Sequence, residues 1–163
     1  MKLALCAGIF GAFVFIGWWI YLGYRQRKQY FESLVRFCDN LITEIGFSKR
    51  TIAQIIGVYI DNYSPQFCTD LLGYKRLLER RENLARGKLV LWNGLRSAEK
   101  HAIGDFFLEL GRHSAAEEIE KIRRFRERFD TSRTEAAEKL KRDASIHLKI
   151  SILLGIGTVI LLL

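Results

Sequence analysis

Two uncharged stretches, one at each end of the sequence, constrain this chain more than any other feature. From Leu3 to Tyr24 it runs 22 residues without a charged side chain, and from Ile150 to Leu163 it runs 14. An α-helix rises 1.5 Å per residue, so the first stretch reaches about 33 Å, enough to cross a bilayer core of about 30 Å. The second covers about 21 Å, and extending it back to residue 146 lengthens it while the long side chain of Lys149 reaches for the headgroups. The expected organisation is therefore a transmembrane helix over residues 3–24, a polar body over 25–145 and a transmembrane helix over 146–163. For the shorter second stretch, a helix lying in the membrane interface is the alternative.

The first stretch does not read as a cleaved signal. Its apolar run is long, and Trp18-Trp19-Ile20-Tyr21 stands where small residues would mark a cut. Those aromatics suit a bilayer interface. Leu3-Ala4-Leu5-Cys6 has the wrong residue before the cysteine for a lipoprotein signal, and its apolar run follows Cys6 instead of preceding it. Of the 26 Lys and Arg, only Lys2 lies beyond the two uncharged stretches. Arg25, Arg27 and Lys28 follow the first stretch, and Lys139, Lys141, Arg142 and Lys149 precede the second. This asymmetry places the body in the cytoplasm and both termini outside, in a two-pass topology of the cell membrane. The net charge of +8 favours contact with anionic lipid. Cys6, Cys38 and Cys68 are isolated and form no disulfide or zinc pattern.

The body reads as all-α. Phe31, Leu34, Val35, Cys38, Leu41, Ile42 and Ile45 recur at helical spacing, in a helix continuous with the first apolar stretch and ended by Gly46. Thr51-Ile52-Ala53-Gln54 is a capping box opening a stripe of Ile52, Ile55, Ile56, Tyr59, Ile60 and Tyr63. Ser64-Pro65 starts a third helix carried by Leu71, Leu72, Leu77, Leu78 and Leu84. Gly87 permits a turn before Leu89, Leu91, Trp92 and Leu95. Ser97 is placed to cap a helix through Ile103, Phe106, Phe107 and Leu110, which Gly111 ends. Ser114-Ala115-Ala116-Glu117 is a second capping box. The long pattern that follows either runs unbroken into the last apolar stretch or breaks near Asp130 to Ser132, where Ser132-Arg133-Thr134-Glu135 resembles another box. Its outer face pairs Glu117 with Lys121, Glu120 with Arg124, Glu135 with Lys139 and Glu138 with Arg142, acid first and four apart.

No constellation of catalytic, metal or cofactor residues emerges. His101 and Asp105 are four apart on one helix and read as a surface contact, without a second ligand pair at metal spacing. His113 precedes a cap, and His147 lies at the membrane edge. No nucleophile elbow, Walker loop or dinucleotide fingerprint occurs, and Gly155-Ile156-Gly157 lies in an apolar stretch. The expectation is a protein that is not an enzyme and holds no cofactor. Arg123, Arg124, Arg126 and Arg128, interleaved with Phe125, are the candidate surface for a partner, anionic lipid or RNA. Nearby Glu117, Glu118, Glu120, Glu127 and Asp130 dilute the positive field, which disfavours nucleic acid. Ala4, Gly8 and Ala12 lie four apart in the first stretch, and Ser151 and Gly155 do so in the last. Such small residues let helices approach closely in lipid, so these are candidates for packing of the two spans or of subunits.

The layout as a whole resembles the stage III sporulation protein AB family of endospore-forming bacteria. The resemblance spans essentially the whole chain. It is carried by the N-terminal anchor, Leu41-Ile42-Thr43-Glu44-Ile45 leading into Thr51-Ile52-Ala53-Gln54, the mid-chain Trp92, Leu110-Gly111, and the Leu154-Gly155 stretch with its aliphatic tail. Departures include Ile52 where the family often has Pro, and Glu117 and Glu118 where it often has Gln. The resemblance implies a scaffold subunit of the channel assembly joining mother cell and forespore, located in the mother-cell membrane. It also implies a cytoplasmic domain similar to F-type platform proteins of type II secretion and type IV pilus systems. The partners it implies are a stage III sporulation protein AA-type ATPase and other subunits of the channel complex. A membrane-tethered basic helical module binding RNA or anionic lipid is the alternative.

Overall fold

A computed structural model describes residues 2–48, 50–80 and 89–162, and every regular element among them is helical. The helices are α1 (Lys2–Phe47), α2 (Ile52–Tyr59), α3 (Pro65–Glu79), α4 (Ser97–Glu109), α5 (Ala115–Lys139) and α6 (Ser145–Leu162). A 3-10 turn (Ile60–Asn62) follows α2, and a π-helical turn (Leu140–Ala144) joins α5 to α6. Two compact units result. Residues 29–133 form one; residues 1–28 and 134–163 form the other.

In the 29–133 unit α1 is the central element. Tyr30, Phe31, Leu34, Phe37, Cys38 and Leu41 are all at most 1 % exposed. That is more than the single stripe the spacing predicts, because α2 to α5 pack around this helix and claim two adjacent faces. Phe37 shows why: its ring meets those of Tyr63, Phe67, Phe106 and Phe107 at centroid separations of 5.8–6.4 Å. Tyr74 packs on Phe107 at 4.6 Å, and Phe106 on Phe125 and Phe129 at 5.4 and 5.5 Å. Each fully buried large apolar side chain contributes about 1.5–3 kcal/mol, and edge-on ring pairs add to that.

The helix starts follow local chemistry. Thr51 and Gln54 form the expected reciprocal box on α2. Ser114 donates both its N–H and its hydroxyl to Glu117 at the start of α5. For α4 the cap is Arg96, with Ser97 already the first helical residue, because the Glu99 carboxylate accepts the Arg96 N–H at 2.9 Å. Helix α3 has Pro65 at its first turn as expected, but its core face is Phe67, Leu71 and Tyr74. Leu72 faces outward, at 39 % exposure. Leu84 and the turn expected at Gly87 lie outside the described residues. Leu89 to Arg96 is irregular chain, not helix, with Leu95 buried.

In the other unit, Gly155 of α6 lies against the N-terminal part of α1. A Cβ placed on Gly155 would come within 2.9 Å of the Phe10 ring and 3.5 Å of Phe13 Cβ. The break suspected near Asp130 is absent: Thr131 and Ser132 bond back to the carbonyls of Glu127 and Arg128 inside α5. The irregularity lies instead at Leu140–Ala144. In a plain α-helix eight residues overshoot two turns by about 80°; the wider π turn absorbs one extra residue. Ala136 and Ala144, both at most 2 % exposed, are thereby kept on one face. Large apolar side chains point outward in this unit, including Phe15, Ile16, Trp18, Trp19, Leu153 and Ile160. One helical run among the described residues, within Ala115–Ile160, is long and apolar enough to cross a membrane. The first apolar stretch is continuous helix from Lys2, although the side chains of residues 1–7 lie outside the description.

Candidate partner surface

Helix α5 lies along α1 in the 29–133 unit, and its basic run does not form one cluster. Arg126 turns inward: its Nε donates to Asp39 Oδ1 at 2.5 Å and its Nη2 to Oδ2 at 3.4 Å. The Asp39 hydrogen bond and charge raise the Arg126 pKa further, so this pair is a charged clamp between α1 and α5. Arg123 and Arg124 point outward and share Glu120, each at 3.6 Å. Exposed pairs of this kind contribute at most about 1 kcal/mol. The Arg128 guanidinium is exposed, with no ion pair among the described residues. Two of the outward cations are thus offset by a carboxylate, and only Arg128 offers an uncompensated charge. Lys121 reaches Glu109 at 3.5 Å and His113 at 2.6 Å, and Arg142 reaches Asp143 at 3.2 Å. These partners differ from the ones four residues away that the spacing suggests.

A polar cluster on the surface gathers around Glu44, near the end of α1. Its carboxylate accepts from Ser48 Oγ at 2.5 Å, from Tyr59 Oη at 2.8 Å and from Arg50 at 3.4 Å. The Ser48 and Tyr59 hydrogen bonds hold its pKa below the ordinary glutamate value. These bonds tie the end of α1 to α2, and Phe47, the last residue of α1, is 93 % exposed. Gly111 adopts φ +83° and ends α4; a Cβ there would sit 2.8 Å from Ile52 Cδ1. The α4–α5 turn thus packs on the first residue of α2. Buried Glu118 holds that turn from within, its Oε1 accepting the Gly111 N–H at 2.6 Å.

Asp70 carries a different load. One oxygen of this buried carboxylate accepts from Tyr30 Oη at 2.8 Å and from the Trp92 N–H at 2.9 Å. The Trp92 ring stacks on Tyr30 at 5.7 Å. Burial raises the Asp70 pKa, against the lowering effect of those two donors. This is a structural latch for the loop before α4.

Among the small residues of the apolar stretches, Gly155 and Ser151 lie on the inner side of α6, and Gly155 faces Phe10 and Phe13. Gly8 and Ala12 are exposed on α1, and a Cβ on Gly8 would meet nothing within 4 Å. The Ala4 side chain lies outside the described residues. Phe47, Glu44 and Asp70 were not singled out by sequence pattern. The usable signal was Asp70 occupying the apolar face between Phe67 and Tyr74; Gly46, expected to end α1, lies inside it, and the helix runs on to Phe47.

Comparison with known families gives one match: the family described as Stage III sporulation protein AB aligns with residues 2–163. Searches of curated proteins and of solved structures return no match.

Proposed function

The chain belongs to the stage III sporulation protein AB family, and from that premise we propose that it is a non-enzymatic membrane platform of the sporulation channel assembly. In this reading two terminal helices anchor it in the mother-cell membrane, with both termini outside. The cytoplasmic helical body, comparable to F-type platform domains, docks a stage III sporulation protein AA-type ATPase.

The observation that carries the reading is a division of surface. One unit exposes Phe15, Ile16, Trp18, Trp19, Leu153 and Ile160, which water would penalise and lipid would accept. The other closes an aromatic core, and its buried or clamped acids are committed to structural bonds. Asp70 holds Trp92, Glu118 holds Gly111, and Asp39 holds Arg126. Side chains so engaged build a scaffold and leave little for acid–base chemistry. The dilution of the α5 arginines by Asp39 and Glu120 weighs against a basic module reading RNA or anionic lipid.

The test is calorimetric titration of the full chain in lipid nanodiscs with the purified cognate ATPase at two salt concentrations. Saturable binding that survives the higher salt is the expected result. A folded, inserted chain that produces no heat would leave a passive anchor.

A further inference from the structure

The π turn at Leu140–Ala144 does more than keep Ala136 and Ala144 on one face. Glu138 and Ile146 are separated by the same number of residues and enclose the same turn, so they share a face too. Ile146, Ile150 and Leu153 continue that stripe along α6 at helical spacing, and all three are exposed. At the turn lies a cavity of about 670 Å³, lined by Glu135, Glu138, Lys139, Lys141, Arg142 and Asp143. A charged cavity and an outward apolar stripe thus adjoin along one helical run.

The charges lining this cavity are mostly not spent on one another. Glu135, Glu138, Lys139 and Lys141 form no ion pair among the described residues, and Arg142 reaches Asp143 at 3.2 Å. Glu138 and Arg142 would meet across one turn of a plain α-helix, but the π turn begins between them and widens that step. Three carboxylates and three cations line the cavity, so its formal charge sums to zero. A ligand with negative charge alone gains from one set and loses to the other; a ligand carrying both signs is favoured by both. Position narrows the ligand further. From Asp143 to Ile146 is about 4.5 Å along a helix, and the headgroup layer on each side of the hydrocarbon is about 5–7 Å thick. The cavity therefore stands at headgroup depth when α6 lies in a membrane.

We propose that the end of α5 and the π turn form a binding site for a zwitterionic phospholipid whose headgroup carries a phosphate and a primary ammonium. Lys139, Lys141 and Arg142 receive the phosphate, and Glu135 and Glu138 accept hydrogen bonds from the ammonium. An acyl chain lies along Ile146, Ile150 and Leu153. A choline headgroup has no N–H to donate and is held less well. The inference rests on α6 lying in the membrane, which is part of the platform reading, and not on the ATPase.

The experiment places the full chain in nanodiscs made of equal parts phosphatidylethanolamine and phosphatidylglycerol. Native mass spectrometry then identifies the lipid that stays on the ejected protein. Phosphatidylethanolamine should be enriched about fivefold or more over its share of the bilayer, the factor that one charge contact at the membrane surface supplies. The double variant Glu138→Gln with Lys139→Gln loses one charge of each sign, so net charge and insertion should be unchanged while the enrichment disappears. Glu120→Gln with Arg124→Gln, the same charge change further back on α5, should retain lipid as the wild type does. Phosphatidylcholine in place of phosphatidylethanolamine should show no enrichment. Soluble phosphoethanolamine, which lacks acyl chains, should not displace the retained lipid; displacement would overturn the lipid assignment in favour of a soluble phosphoester. Enrichment of phosphatidylglycerol, enrichment that survives Glu138→Gln with Lys139→Gln, or no preference at all would each overturn the site and leave the membrane anchor standing. A folded chain that stays out of the discs removes the membrane reading and this inference together.

Discussion

Gly111 has a left-handed backbone (φ +83°) and almost no room for a side chain, with Ile52 Cδ1 at 2.8 Å from an added Cβ. Replacing it with Ala forces an L-residue into that region, at about 1–2 kcal/mol. Chemical denaturation of Gly111→Ala should show a loss of that size; an unchanged midpoint would mean that the turn relaxes freely. Asp70 makes a sharper prediction because one oxygen receives both donors. Asp70→Asn can keep both bonds without burying a charge, whereas Asp70→Ala strands two donors at about 1–3 kcal/mol each. Burial raises the folded pKa of Asp70 above the ordinary 3.8, so the folded state holds the proton more tightly than the unfolded. Stability from this group is therefore present below pH 3.8 and lost as pH rises through the raised value. Asp70→Asn should remove that downward slope in denaturation measured across the window, and persistence of the slope would assign it to another group.

At the scale of elements, the helices were legible because capping and period are local signals. Thr51 with Gln54, Pro65 in the first turn of α3, and Gly111 after α4 are each read within a few residues. The position of α1 at the centre was not legible, since Tyr30 and Phe37 are buried only when the rest of the unit has packed around them. The path from Leu89 to Arg96 was missed for the same reason: its fixed point is the distant Asp70. The π turn left no pattern in composition, and shows only as the alignment of Ala136 with Ala144. Ala136→Pro within α5 removes a backbone bond at about 3 kcal/mol. If the long helix transmits engagement, sporulation should fall while the protein remains folded and inserted; normal spore yield with that variant would mean that the rigid helix is dispensable. Pairing of the terminal helices has its own check. The Cβ of Phe13 and an added Cβ on Gly155 are 3.5 Å apart, at the short end of disulfide geometry. In a background with Cys6, Cys38 and Cys68 replaced by Ser, Phe13→Cys with Gly155→Cys should cross-link under mild oxidant, seen as a mobility shift on non-reducing gels. A pair that stays reduced would separate the two helices.

At the scale of the molecule, two kinds of surface share one chain: apolar side chains turned outward at its two ends, and an aromatic core turned inward in its middle. Charge-free length announced the first, and helical periodicity announced the second. The candidate partner surface was the least legible, because the arginine run that drew attention is divided among Asp39, Glu120 and solvent. Phe47, by contrast, is the last residue of α1, and only the fold shows it exposed. The account stands on recruitment of a soluble ATPase to a membrane by this chain alone. Flotation of the purified ATPase with liposomes carrying the protein, against empty liposomes of the same lipids, measures that directly. The ATPase should rise with the protein-bearing liposomes and stay at the bottom of the gradient with the empty ones; equal behaviour in the two gradients would contradict the platform.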